Sequence, residues 1–375
     1  MNVHFKPIDV AKVAEGIESW VKIESPTSSR EAVNQMIDQA QSEFDGVPVA
    51  LERIPGRDGY GDCLFARTEG EGKRILVLSH LDTVHPIGTA AGPLPIRREG
   101  DKMFGPGIYD MKGGAYLAMD AFRRVVSAGS HKLPITFLFT PDEEVGSPSS
   151  RAIIEAEAQN AAFAIVTEPT WHNYVVTGRK GIGRFDINAT GVPAHAGANH
   201  EKGRSAINEI AHQILAIAAM TDYARGITTN VGMISGGTAS NVIPRDAHIS
   251  IDVRVLNPES AEEVKEKLLS LKPHDPDVKL DITGKFTRPP YVKSEGTEAF
   301  LQHTRKLAAE IGFELPEAPQ DGGGSDANFT AALGVPTLDS LGIDGDGAHT
   351  HFEHGLLSCL EPRLRLFQRL METLQ

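Results

Sequence analysis

ILVLSHLDTVHP, residues 75–86, is a short apolar run that ends in a histidine and an aspartate two positions apart. Such a run reads as a strand buried on both faces, as in parallel sheets. ITFLFT (135–140) and FAIVT (163–167) have the same character, and Gly113–Ala128, between two of these runs, has helical apolar spacing. Strand, helix, strand is the βαβ pattern, and it predicts an α/β sheet with helices on both faces. Helical spacing also covers 10–22 and 31–44. It returns at 296–311 and 356–373, on either side of the apolar strand GVPTLDS (334–340).

The middle of the chain follows another rule. GRFDINAT (183–190) and HISIDVRV (248–255) alternate apolar and polar residues, as half-exposed antiparallel strands do. Residues 203–220 and 259–271 are helical in pattern, and the two strand-helix-strand units predict a small α+β insert. The expected organisation is a discontinuous domain, 1–178 and 289–375, interrupted by an insert at 179–288.

The formal net charge of −13 on 375 residues argues against nucleic acid or an anionic membrane as partner, since both require a basic face. It suits carboxylate-rich sites whose charge divalent cations offset. The first twenty residues, MNVHFKPIDVAKVAEGIESW, lack the continuous apolar run of a signal peptide. No stretch approaches the roughly 20 apolar residues of a membrane span, so a cytoplasmic protein is expected. Cys63 and Cys359 have no metal-type spacing and are expected to be reduced.

Five segments place metal-type ligands at the end of a predicted strand or in the loop after it, where ligands of open α/β sheets belong. His80 and Asp82 point the same way on an extended chain, so the carboxylate is placed to orient the imidazole. Asp110, in GPGIYDMKGG, sits in a glycine-dense loop before a helix; a helix N-cap is the plainer reading. Asp142, Glu143 and Glu144 are adjacent acids that repel one another unless cations or solvent intervene. They read either as a solvated turn or as a metal ligand beside a general base. Glu168 follows another apolar strand, and His349 follows a glycine-rich turn with His351, Glu353 and His354 close behind. This is a ligand inventory for two divalent ions sharing a carboxylate. HExxH, GxSxG and GxGxxG are absent.

At these residues the chain resembles the dizinc exopeptidase and deacylase family. That family includes folate-cleaving glutamate carboxypeptidases, acetylornithine deacetylase, succinyl-diaminopimelate desuccinylase and aminoacylase. HLDTV, EGDKMFGPGIYDMKGG, PDEEVGS, TEPT, GVPAHAG, SNVIP with DVRV, GGGSDA and GAH occur in the family's order over nearly the whole chain. One departure is the continuation THFEH after GAH, where the family often has a small residue and then Pro-Asp-Glu-Tyr; Glu353 keeps its place.

The resemblance implies a mixed sheet sandwiched by helices, with an inserted ferredoxin-like domain acting as lid and dimerisation surface. It implies two Zn2+ per subunit, with Co2+ or Mn2+ as alternatives. Asp110 would bridge the ions, with His80 and Glu168 completing one site and Glu144 and His349 the other. Glu143 would be the general base and Asp82 would orient His80. His195 would stabilise the oxyanion, and Arg254 and Asn241 would grip the substrate carboxylate. Gly323 and Gly324 would line the substrate, and Asp110–Met111 would be a cis peptide. The implied activity is hydrolysis of an amide beside a free carboxylate in a small molecule or short peptide, by a hydroxide bridging the metals. The match around HLDTV, DMKGG, TEPT and GGGSDANF favours the glutamate carboxypeptidase branch. An N-acyl amino acid deacylase on the same scaffold and a metal-free binding protein of the same fold are the alternatives.

Overall fold

The apolar run at 75 forms a strand, Arg74–His80, buried from Ile75 to His80. The computed structural model describes residues 7–318, 320 and 322–375. In it this strand lies inside a six-stranded sheet ordered Ala50–Ile54, Cys63–Arg67, Ile135–Thr140, Arg74–His80, Ala161–Val166, Thr337–Leu338. The last four strands run parallel, with Val77 opposite Phe137 and Ile165. The first two pair antiparallel, so the sheet is mixed.

Both faces are covered, which is why the parallel strands are apolar without alternation. Val77, Phe137 and Ile165 join Ile17, Trp20, Phe122, Phe300 and Phe367 from four helices in one core. Their neighbours Leu76, Leu78, Leu138 and Ala164, which point the other way, are equally buried. The helix Gly113–Ala128 packs tightly on the sheet because Gly114 has no side chain. A Cβ there would lie 2.2 Å from the Thr167 carbonyl oxygen.

The helix expected at 356–373 starts later, as Leu360–Thr373. His354–Leu356 is instead a short strand paired with Lys102–Phe104, followed by a 3-10 turn at Leu357–Cys359. The helix expected at 203–220 is Ala206–Ala218, because the Ser205 side chain caps it by accepting from Asn208 N. The strands Ala50–Ile54 and Cys63–Arg67 and the helix Arg151–Ala158 had no counterpart in the sequence reading.

The contacts divide the chain into two units. One is Met1–Thr177, Lys293–Gln320 and Ser325–Gln375; the other is Gly178–Val292 with Asp321–Gly324. The second contains a four-stranded antiparallel sheet ordered Thr228–Gly236, Asp246–Val255, Gly181–Thr190, Lys279–Arg288. Helices Ala206–Ala218 and Pro258–Leu269 alternate with these strands, giving the β-α-β-β-α-β ferredoxin-like arrangement. Its core is its own, built on Phe185, Ile187, Ile249, Ile251 and Val253 against Ile210 and Leu268.

Candidate metal centre

In the first unit the parallel strands end in the residues singled out by sequence. His80 is the last residue of its strand, Glu143 and Glu144 form a 3-10 turn after Thr140, and Glu168 follows Val166. The His80 Nδ1 lies 3.0 Å from the main-chain oxygen of Asp82, and its Nε2 lies 3.1 Å from Asp110 Oδ1. A ring whose Nδ1–H is held by a carbonyl presents the Nε2 lone pair to a cation.

The Asp82 carboxylate has partners beyond His80. Its carboxylate is 3.4 Å from the ring nitrogen but accepts the Thr27 hydroxyl at 2.6 Å. It also accepts the backbone N–H of Glu143 and of Glu144, each at 3.2 Å. One buried carboxylate therefore fixes the turn that carries both acids. Thr27, 55 residues upstream, had no signal in the sequence.

Asp110 reaches both imidazoles, Oδ1 facing His80 and Oδ2 lying 3.3 Å from His349 Nε2. Glu168 Oε2 is 3.8 Å from His80 Nε2, and Glu144 Oε2 is 3.1 Å from His349 Nε2. Two imidazole–glutamate pairs thus flank one aspartate. Ligand atoms of His80, Asp110 and Glu144, and those of His80, Glu143 and Glu168, also lie within 4.8 Å of one another. The second of these groups brings Glu143 beside the expected ligands His80 and Glu168. The Asp110–Met111 peptide is cis. Asp110 makes no N-cap: the helix begins at Gly113 without a side-chain cap bond.

The donor set suits divalent cations. Glu144 Oε1 is buried without a hydrogen-bond partner among the described atoms, and a cation completes such an oxygen. Burial, then the charge of Asp110, raises the Glu144 pKa. Burial raises Glu168 as well, outweighing its contact with His80. Hydrogen bonds to Asp110 and Glu144 push His349 up to about 10. Burial opposes a charge on His80, yet bonds to Asp110, Asp82 and Glu168 raise it well above the ordinary value. Burial likewise opposes ionisation of Asp110, but His349 and His80 hold it below the ordinary carboxylate value.

The signs give a prediction. Glu144, Glu168, His80 and His349 are raised on folding, so each contributes stability at low pH that is lost as pH rises. The loss begins above 4.5 for the glutamates and extends to about 10 for His349. Asp110 has the opposite sign, its contribution being present above 3.8 and lost in stronger acid. Metal-free protein is therefore expected to melt lower at about pH 8 than at about pH 6. The rise in melting temperature on adding Zn2+ is expected to grow over the same interval, because cations displace protons. Melts with and without Zn2+ check both; a zinc-induced rise independent of pH contradicts the ligand assignment.

The remaining expected residues lie in the second unit. His195 Nδ1 accepts the backbone N–H of Gly197 and Ala198, each at 3.1 Å, so the ring hydrogen sits on Nε2. Asn241, exposed, accepts Ala196 N through its main-chain oxygen at 2.9 Å. Arg254 is already engaged: Nε and Nη2 bind Asp252 at 2.8 and 3.1 Å, and Nη1 binds Gly322 O at 3.0 Å. Arg179 Nη1 reaches Gly323 O at 3.4 Å. At Gly324 a Cβ would lie 2.5 Å from Arg288 Cδ, so three arginines gather on this glycine loop. Cys63 and Cys359 are buried free thiols.

The sequence pattern of peptidase family M20/M25/M40 matches residues 76–373. Carboxypeptidase G2 of Pseudomonas sp. (strain RS-16) is 32% identical over 369 residues, spanning 96% of this chain and 88% of its own. A succinyl-diaminopimelate desuccinylase of Bordetella avium is 25% identical over 340 residues, 83% of this chain and 86% of its own. The fold matches an M20-family metallo-carboxypeptidase of Sulfolobus solfataricus with a TM-score of 0.76 at 15% identity, covering 96% of this chain and 98% of that one.

Proposed function

The chain belongs to peptidase family M20/M25/M40 and is a metal-dependent hydrolase, and on that premise we propose that it is a two-cation carboxypeptidase releasing a residue with a free carboxylate. The observation that carries this reading is Asp110, whose two oxygens face two imidazoles, each paired with its own glutamate. His80, Glu168 and Asp110 would hold one Zn2+, and His349 and Glu144, with Asp110, the other. Co2+ and Mn2+ suit the same donors. When bound, such cations would supply Lewis acidity for amide hydrolysis.

The side chains do the rest. Glu143 takes a proton from the attacking water and delivers it to the departing nitrogen. Asp82 keeps base and ligand in register through their N–H groups. His195 offers Nε2–H to the developing oxyanion. Arg254 pairs with the substrate carboxylate, sharing its guanidinium with Asp252, while Asn241, Gly323 and Gly324 line the same grip. Val145, Trp171 and Phe352, each within three residues after a ligand, are 53%, 58% and 58% exposed. They favour an apolar group on the acyl side over an acetyl or a charged succinyl group. Leu215 and Met233, 71% and 68% exposed in the second unit, support a homodimer through the insert. Among the described residues no helix is long and apolar enough to cross a membrane.

Arg254→Ala is expected to raise KM for free-carboxylate substrates by about 10–100-fold with kcat little changed, as loss of a charge-assisted pair predicts. The test is a panel of N-aroyl and peptide substrates ending in a free acid or its amide, with acetylornithine and succinyl-diaminopimelate alongside. Equal cleavage of acid and amide removes the carboxylate clamp. Preference for the short acyl amines moves the enzyme to the deacylase branch.

A further inference from the structure

A carboxylate outside the ligand set grips the turn that carries Asp110. Glu353 is fully buried, and both its oxygens are taken up by donors. Oε1 accepts the N–H of Tyr109 at 2.9 Å and of Asp110 at 3.0 Å. Oε2 accepts the N–H of Gly107 at 3.0 Å and faces Nε2 of buried His85 at 2.6 Å. A carboxylate already ringed by N–H groups sets Nε2 as the donor. The turn is shaped for this approach: Gly107 is left-handed at φ 71°, and a Cβ there would lie 2.4 Å from Thr83 Cγ2.

Glu353 also stands on the segment that bears His349, just before the strand His354–Leu356. That strand pairs with Lys102–Phe104, immediately upstream of the turn, with His354 opposite Phe104. A single carboxylate therefore ties the chain that presents Asp110 to the chain that presents His349. We propose that Glu353, seconded by His85, is a positioning residue that fixes the spacing of Asp110 and His349 and so the affinity for the cation these two share. This rests on the two-cation reading above. Bonds from N–H groups to a carboxylate are stronger than neutral ones, and removing the acceptor strands buried donors. The strain then falls on the backbone of Asp110 itself, one of the donors.

Glu353→Gln keeps the shape but turns an NH2 toward N–H donors. The readout is Zn2+ affinity and stoichiometry, by chelator competition on protein verified as folded by circular dichroism at the assay temperature. Glu353→Gln is expected to weaken one of two zinc ions by about 10–100-fold, the range for groups that support a ligand from behind. The ion near His80 feels the same shift of Asp110 but keeps His80 and Glu168 in place, so it is expected to weaken less, an ordering that general destabilisation does not produce. His85→Phe is expected to weaken the same ion by less, and it decides the matter if Glu353→Gln does not fold. Folded variants that bind both ions as the parent does overturn the proposal. If the parent chain itself binds no Zn2+, the metal-centre reading falls with it; a parent that binds two ions and a Glu353→Gln that matches it overturns the clamp alone.

Discussion

Replacing Glu143 with alanine is expected to lower kcat by about 10²–10⁴-fold, the range for a positioned proton-transfer group, while the cations stay bound. Glu143 is nearly buried and its backbone is pinned by Asp82 Oδ1 at 3.2 Å. It adjoins Glu144, and its side chain groups with His80 and Glu168. That position allows two roles, proton carrier or extra ligand, and the substitution separates them. A carrier's loss costs turnover and leaves metal content and substrate binding nearly unchanged. A ligand's loss empties a site. Steady-state kinetics with metal analysis of the same preparation reads both. Near-parental turnover, or a fall in bound metal matching the fall in rate, removes the base assignment.

Asp110→Ala is expected to be more severe, because one side chain serves both imidazole–glutamate pairs. Without it four acids and imidazoles face each other with no shared anion to bind two ions together, and both affinities should collapse. Turnover is expected to fall by at least about 10³-fold, since both Lewis acidity and the activated water are lost. Chelation of the parent protein should reproduce the loss, and added Zn2+, Co2+ or Mn2+ should reverse it only in the parent. Glu168→Ala provides the contrast, weakening chiefly the ion near His80. An Asp110→Ala protein that keeps two ions and its activity disposes of the shared aspartate.

The cage was legible in the sequence because its parts follow short apolar strands. Buried parallel strands are written as unbroken runs, so ILVLS, ITFLFT and FAIVT announced themselves, and His80, Glu143 and Glu168 follow directly. Asp110 and His349 were legible through glycine-rich loops and the family pattern. What supports these residues was not. Thr27 meets Asp82 across 55 residues and Glu353 meets Tyr109 across 244, and no local spacing encodes such a contact. Ala50–Ile54 leaves no such mark, because an edge strand with its first three residues exposed lacks the alternation of a half-buried one. His354–Leu356 carries no sequence signal because three residues have no period of their own.

Among the described residues, the two apolar cores have no member in common. Mutational drift in one can therefore proceed without repacking the other. An exchange of apolar side chains beneath Arg254 then leaves the strands that lead into His80, Glu143 and Glu168 as they are.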